Sequence, residues 1–155
     1  GLGWWSDEGV RPIGWAEPGS TRPQLYVGEG WKQPETEDGK SVRHSRGRRS
    51  ELVVPIRSVA DYTMVVHAFA RRATSPAALA LAVEREPLGV RCTAEGWADY
   101  TFQVPARLLR SGLNSIVLSY PAAGECGEQQ PGENRELTVA SLELRRVVPA
   151  PEAHR

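Results

Sequence analysis

One stretch, residues 96–120, constrains the fold more than any other part of the chain. Large apolar side chains fall on every second residue over 100–104 and again over 116–120. A period of two places each set on one face of a β-strand, so both strands have a core side. Pro105 ends the first strand, and residues 106–110 have room for one helical turn before the second begins. The stretch therefore predicts two strands with a short connection.

The same period recurs along most of the remaining chain, where Gly and Pro residues separate the repeats. In the last strand the alternation slips by one residue, which predicts a β-bulge near Ala140 and Ser141. No segment shows a sustained helical period. Seven or eight short strands in a chain of this kind predict an all-β fold, an antiparallel β-sandwich of jelly-roll type with long irregular loops. The predicted strands besides the pair above are 24–27, 52–56, 62–70, 79–83, 90–93 and 137–147.

The chain of 155 residues has the length of one domain. We expect a single β-sandwich over 1–148 and an extended tail over 149–155. Within the sandwich, residues 1–50 are predicted to be an irregular N-terminal region. It includes a charged loop at 28–50 with an acidic first half and a basic second half, too poor in apolar residues to bury much surface.

Charge and composition exclude several functions. Lys plus Arg and Asp plus Glu both number 19, so no global field favours nucleic acid. No apolar run is long enough to span a bilayer. The sequence begins at Gly1 without Met, which favours a processed or trimmed N-terminus, and removal of an export signal or anchor is one ordinary route to it. Peripheral association with a membrane is compatible with this expectation.

The chain has two cysteines, Cys92 and Cys126. They are compatible with one disulfide in an oxidising compartment or with two separate thiols in a reducing one. Cys126 lies in a Gly-rich and acidic segment where a free thiol would be exposed, and this favours the disulfide. We accordingly expect an extracytoplasmic protein, periplasmic or secreted.

Motifs of the common catalytic sites are absent from the sequence. It has no G-x-S-x-G nucleophile elbow, no phosphate-binding loop and no dinucleotide fingerprint. Glu29, Asp38 and Glu133 could donate oxygens to calcium, but no ordered ligand series connects them. We therefore expect no enzyme activity, no cofactor and no metal.

Particular residues resemble the galactose-binding-domain-like jelly roll, a fold shared by many carbohydrate-binding modules and by accessory domains of glycan-processing proteins. The resemblance covers most of residues 50–147 and, more loosely, the N-terminus. It implies the same sandwich fold and, more weakly, a non-catalytic accessory role. The residues that carry it are Gly3, Trp4, Glu8, Leu88, Gly89, Gly96, Trp97, Tyr100, Val104, Pro105, Leu108, Leu109, Gly112, Asn114, Arg135, Leu137, Val139 and Ala140.

Two functions compete. In the first, the chain is a structural subunit that docks its sandwich onto a larger, extracytoplasmic and membrane-associated protein complex. Trp and Arg are enriched at interface hot spots, and the segment before residue 50 is rich in both. The interface residues expected on this hypothesis are Trp4, Trp5, Trp15, Trp31, Arg43, Arg46, Arg48 and Arg49.

The alternative function is that of a carbohydrate-binding module, in which exposed aromatic rings stack on sugars and charged groups bind hydroxyls. Trp31 and Trp97 are the candidate rings. Glu133 and Arg135 are the candidate polar partners, because they lie in a loop of the same sandwich. A solvent-open aromatic face with convergent polar groups would favour this alternative.

Overall fold

The computed structural model describes residues 3–4, 26–71, 74–121, 124–127 and 136–147. These residues form two antiparallel sheets. In spatial order, one sheet contains β1 (Gly3–Trp4), β2 (Tyr26–Val27), β5 (Arg49–Ile56), β10 (Gly112–Ser119), β7 (Ala78–Val83) and β8 (Glu86–Cys92). The other contains β3 (Glu35–Glu37), β4 (Lys40–His44), β11 (Thr138–Arg146), β6 (Tyr62–Ala70) and β9 (Gly96–Val104).

The stretch that constrains the fold bridges the two sheets. It forms β9, a 3-10 helical turn at Ala106–Leu108, and β10. β9 is the edge of the five-stranded sheet, whereas β10 lies inside the six-stranded sheet. The connection therefore crosses from one layer of the sandwich to the other, and Leu109 is buried where it does so.

The core lies between the sheets and follows the predicted alternation. Met64, Val66 and Phe102 project inward from the five-stranded sheet, and each is completely buried. Leu52 and Leu118 meet them from the six-stranded sheet. The intervening residues of β6 and β9 consequently point outward and form the exposed face of the five-stranded sheet.

The structure corrects the prediction of an irregular loop over 28–50. β3 and β4 form a hairpin within it, and β5 starts earlier than predicted, at Arg49. Asp38 and Gly39 make the two-residue turn with φ of 50° and 73°, as expected for an Asp-Gly hairpin turn. The hairpin is charged on both strands, so it lacks the apolar alternation that identifies the other strands.

Two local predictions are confirmed. The register of β11 against β6 shifts between Val139 and Ser141, where the bulge is expected. Cys92 and Cys126 form a disulfide with a Cα–Cα distance of 5.2 Å. The bridge ties the end of β8 to the loop that follows β10. Among the described residues, no helix has the length and apolar character needed to cross a membrane.

A buried hydrogen-bonded chain joins Tyr120 to the start of the hairpin region. The Tyr120 hydroxyl donates to Ser50 Oγ at 2.8 Å, and Ser50 Oγ donates to the Gly30 carbonyl at 2.7 Å. Burial raises the pKa of Tyr120 to about 12, although its hydrogen bonds to Ser50 and Ser45 oppose this shift.

The raised pKa predicts a loss of stability at alkaline pH. Below pH 10 Tyr120 is protonated in both the folded and the unfolded chain. Between pH 10 and about 12 only the unfolded chain loses the proton, so the free energy of unfolding falls by roughly 2 to 3 kcal/mol. The free energy of unfolding, measured with urea at several pH values across this range, should therefore fall more steeply with pH for the parent chain than for Tyr120→Phe. Equal slopes would contradict the assignment.

Candidate functional site

A row of four side chains crosses the outer face of the five-stranded sheet. His44 on β4 is paired with Thr138 on β11, Thr138 with Phe69 on β6, and Phe69 with Trp97 on β9. Cross-strand partners lie on the same face of a sheet, and Phe69 and Trp97 alternate with core residues. The row therefore projects outward, with its polar members at one end and its aromatic members at the other.

The β3–β4 hairpin folds over this row. β4 pairs with β11 only at Arg43 and His44, so the rest of the hairpin is not paired with β11. At its tip, Asp38 Oδ2 accepts a hydrogen bond from Trp97 Nε1 at 3.3 Å, and Lys40 Nζ lies 5.2 Å from the centroid of the Trp97 ring. β4 and β9 are three strand positions apart, about 14 Å. These contacts therefore require the hairpin to cross above β11 and β6.

Three members of the covered row, His44, Thr138 and Phe69, border a cleft of about 420 Å³. Phe69 supplies an aromatic wall, and the Arg71 guanidinium lies 5.2 Å over its ring. Polar and charged groups form the rest of the lining, so the cleft combines one apolar surface with several hydrogen-bonding groups. The lining residues are Glu37, Asp38, His44, Phe69, Arg71, Thr74, Ser75, Glu136 and Thr138.

Hydrogen bonds fix the rim of the cleft. The Arg71 backbone N–H donates to Ser75 Oγ at 2.8 Å, and the Glu136 N–H donates to the Thr74 carbonyl at 3.2 Å. The Glu136 carboxylate also forms an ion pair with Lys32. The segment after β6 is thereby attached to the start of β11, and the rim is formed before any ligand arrives.

Trp97, a candidate ring of the carbohydrate-binding hypothesis, contacts Phe69 and Asp38 of the cleft lining, and its ring is only partly open. His67 stacks on it with ring centroids 5.1 Å apart and planes inclined by 14°, and Phe69 meets it edge-on at 5.3 Å. His67 Nδ1 in turn lies 2.6 Å from Asp99 Oδ1. Trp97 thus belongs to a packed aromatic cluster that supports Phe69 and holds the hairpin tip.

Trp31 does not occupy the position expected of it under either hypothesis. It is 8 % exposed, packs in the core, and donates from Nε1 to the Glu51 carbonyl at 2.9 Å. A ring in this position cannot stack on a sugar or form an interface. The flanking Gly30 and Lys32 give Trp31 the sequence context of an exposed residue, and only its place in the core and its hydrogen bond to β5 reveal the burial.

The four arginines predicted at an interface differ in their exposure. Arg43 is half-buried, its Nη1 donates to the Lys32 carbonyl at 2.8 Å, and desolvation lowers its pKa. Arg46, Arg48 and Arg49 are exposed. The last two line a second cleft of about 530 Å³ on the other sheet. The side chains of Trp4, Trp5, Trp15, Glu133 and Arg135 lie outside the described residues, so their predicted roles stay predictions.

Sequence reasoning missed most of the cleft. Phe69, Arg71 and Glu136 were not candidate site residues, and His44 was grouped with the charged loop. One signal was present: Phe69 is a large aromatic residue on the side of β6 that also carries Thr63 and His67. An aromatic on the polar side of a strand is a candidate for recognition.

No protein-family model and no curated protein matches the chain. Among solved structures it is similar to the GH26-CBM35 β-(1,4)-mannanase of Podospora anserina, with 13% sequence identity and a TM-score of 0.55. The match covers 84% of this chain and 29% of the mannanase chain.

Two isolated modules give lower scores. A family 35 carbohydrate-binding module from Clostridium thermocellum has 10% identity and a TM-score of 0.49, and the match covers 78% of this chain and 91% of the module. A family 35 module from an environmental isolate has 15% identity and a TM-score of 0.49, over 83% and 98% of the two chains. The similarity to the mannanase, together with the two antiparallel sheets, shows the β-sandwich of jelly-roll type that the sequence predicts.

Proposed function

We propose that this chain is a non-catalytic carbohydrate-binding domain that holds a glycan in the cleft beneath the β3–β4 hairpin. The observation that carries the proposal is the juxtaposition of the Phe69 ring with convergent charged and hydroxyl groups in one cleft. Fold similarity to the mannanase, whose name includes a carbohydrate-binding module, supports it. The similarity alone is insufficient because one fold carries many functions.

The chemistry of the cleft suits a sugar. A pyranose presents C–H groups on one face and hydroxyls around its edge, so it needs an apolar surface ringed by hydrogen-bonding groups. Phe69 offers that surface. The Arg71 guanidinium can donate two parallel hydrogen bonds, and the carboxylates of Asp38 and Glu136 can accept from hydroxyls.

The disulfide supports an extracytoplasmic location, since disulfides persist in oxidising compartments. The docking hypothesis stays a prediction. Of its eight candidate residues, only Arg46, Arg48 and Arg49 have exposed side chains in the described part of the chain. A domain that binds a glycan can also be attached to a larger protein, so the two functions are compatible.

A glycan array probed with the 155-residue chain tests the proposal. We expect a restricted set of hits. Titration calorimetry with one hit should show that Phe69→Ala and Arg71→Ala each weaken binding at least about tenfold, which corresponds to about 1.4 kcal/mol. Val90→Ala is the control, because Val90 is an exposed apolar residue of β8 in the other sheet.

Either of two results would reject the proposal: an array without hits, or a hit whose affinity is the same for the parent chain and Phe69→Ala. Thermal unfolding of each variant shows whether lost binding reflects lost structure. A pull-down from the native source, with mass spectrometry, detects a stoichiometric protein partner. Such a partner together with an empty array would establish docking instead.

A further inference from the structure

The β3–β4 hairpin brings two carboxylates to one nitrogen of His44. Glu35 and Glu37 are two residues apart on β3 and so share a face, and His44 faces them from β4. His44 Nε2 lies 3.3 Å from Glu35 Oε2 and 3.0 Å from Glu37 Oε1. The three potential ligand atoms all lie within 4.8 Å of one another.

These distances match a coordination sphere. Zinc binds imidazole nitrogen and carboxylate oxygen at about 2.0–2.2 Å, so two ligands of a tetrahedral ion are about 3.4 Å apart. The two measured separations from Nε2 are within a few tenths of an ångström of that value. An ion could enter among the three atoms with only small side-chain movements.

The other ring nitrogen fixes the orientation of His44. Nδ1 lies 3.1 Å from Glu136 Oε2 and 3.1 Å from Thr138 Oγ1, and Glu136 is itself paired with Lys32. A histidine that binds a metal usually donates its second N–H to a carboxylate in this manner. With the hydrogen on Nδ1, a neutral imidazole directs its Nε2 lone pair at two carboxylates, an arrangement that a cation at that point would stabilise.

The charge around the two glutamates also favours a cation. In the part of the chain that the structure describes, neither Glu35 nor Glu37 forms an ion pair with Lys or Arg, and His44 is the partner of both. Lys40, which is paired with Glu37 in the hairpin register, extends instead over the Trp97 ring. Glu37 and His44 both border the cleft, which leaves space for a fourth ligand such as water.

We propose that Glu35, Glu37 and His44 form a binding site for a divalent zinc-class ion. The imidazole nitrogen selects a borderline metal, because calcium and magnesium prefer oxygen ligands throughout. The ion joins β3 to the end of β4 and so fixes the hairpin above the sheet. This proposal replaces the expectation from the sequence that the chain holds no metal.

Calorimetric titration of the tag-free, EDTA-treated chain with zinc chloride tests this site directly. We expect one saturable zinc site per chain and weaker or undetectable binding of calcium and magnesium. His44→Gln and Glu35→Gln should each weaken zinc binding about tenfold or more. Glu143→Gln, a carboxylate on the same outer face that is paired with Arg145 at 2.7 Å, should leave it unchanged.

The proton that competes with zinc for Nε2 provides a second readout. Zinc affinity should fall as the pH is lowered, and heats measured in buffers of different protonation enthalpy should reveal proton release. Unfolding of the metal-free variants shows whether each is folded; Glu35, with 56 % of its side chain exposed, is the safest to replace.

Three results would each overturn the proposal: no saturable zinc binding, equal zinc affinity in His44→Gln, or tighter binding of calcium than of zinc. The titration contains no glycan, so its failure is distinguishable from failure of the carbohydrate-binding function.

Discussion

Gly30→Ala is expected to lower the free energy of unfolding by about 3 kcal/mol or more. Gly30 has a φ of +88°, and a Cβ added there would lie 1.9 Å from the backbone oxygen of Arg49. The Gly30 backbone cannot yield easily, because Arg46 N donates to its carbonyl at 2.8 Å and Ser50 Oγ donates to the same oxygen at 2.7 Å. Arg49 is held in β5, where it is paired with Ser119 of β10. The substitution therefore adds a backbone collision to the strain of a positive φ.

Gly47→Ala is the matched control for this prediction. Gly47 has a φ of +73° but nothing within 4 Å of an added Cβ. Gly47→Ala should therefore lower the free energy of unfolding only by the conformational strain, about 1–2 kcal/mol. Urea unfolding of the two variants separates strain from collision. Equal losses of stability would show that the approach of Gly30 to β5 does not constrain the fold.

Phe102→Ala is the second large effect, with an expected loss of about 3–5 kcal/mol. Phe102 is the largest completely buried side chain among the described residues. It lies at the edge strand β9, where the Arg91 guanidinium from the opposite sheet approaches to 4.8 Å from its ring. Removing the ring leaves a cavity between the sheets and deprives Arg91 of that contact.

Leu113→Ala provides the comparison, since Leu113 is 53 % exposed. It should change the free energy of unfolding by no more than about 0.5 kcal/mol. Both effects are measured as shifts of the denaturant midpoint, which report a change in stability when the m-value is unchanged. A loss below about 1 kcal/mol for Phe102→Ala would mean that the two sheets do not pack through β9 as described.

The core strands could be predicted because burial alone determines their pattern. β6 was predicted at its observed bounds, Tyr62–Ala70, since one side of it must face the core. The β11 bulge was equally visible, because a slip in a period of two moves side chains from one face to the other. In these strands local sequence and tertiary burial require the same residues.

The hairpin could not be found in this way. Apart from Val42, which is completely buried, its two strands consist of polar and charged residues, so neither strand shows an apolar alternation. Asp38-Gly39 is a hairpin turn signal, but such a signal identifies a hairpin only when alternating apolar residues flank it. Here the flanking residues on both strands are mostly charged. The contact between Asp38 and Trp97 joins residues 59 positions apart, and nothing in either neighbourhood indicates it.

The two candidate tryptophans illustrate the same limit. Trp31 and Trp97 each follow a glycine, yet Trp31 packs in the core, whereas Trp97 lies on the outer face and contacts Phe69 and Asp38. Burial of a ring at a strand end depends on which segments cross it. The sequence therefore predicts that aromatic residues matter here, and the three-dimensional structure decides which of them can meet a ligand.

Chemical-shift mapping of the 155-residue chain with a glycan identified on the array tests the central claim most directly. If the glycan binds beneath the hairpin, amide signals of Arg71, Thr74, Ser75 and Glu136 should shift in a saturable manner, while those of β8 and β10 remain unchanged. Saturable shifts confined to the six-stranded sheet, with none at the cleft, would contradict the account.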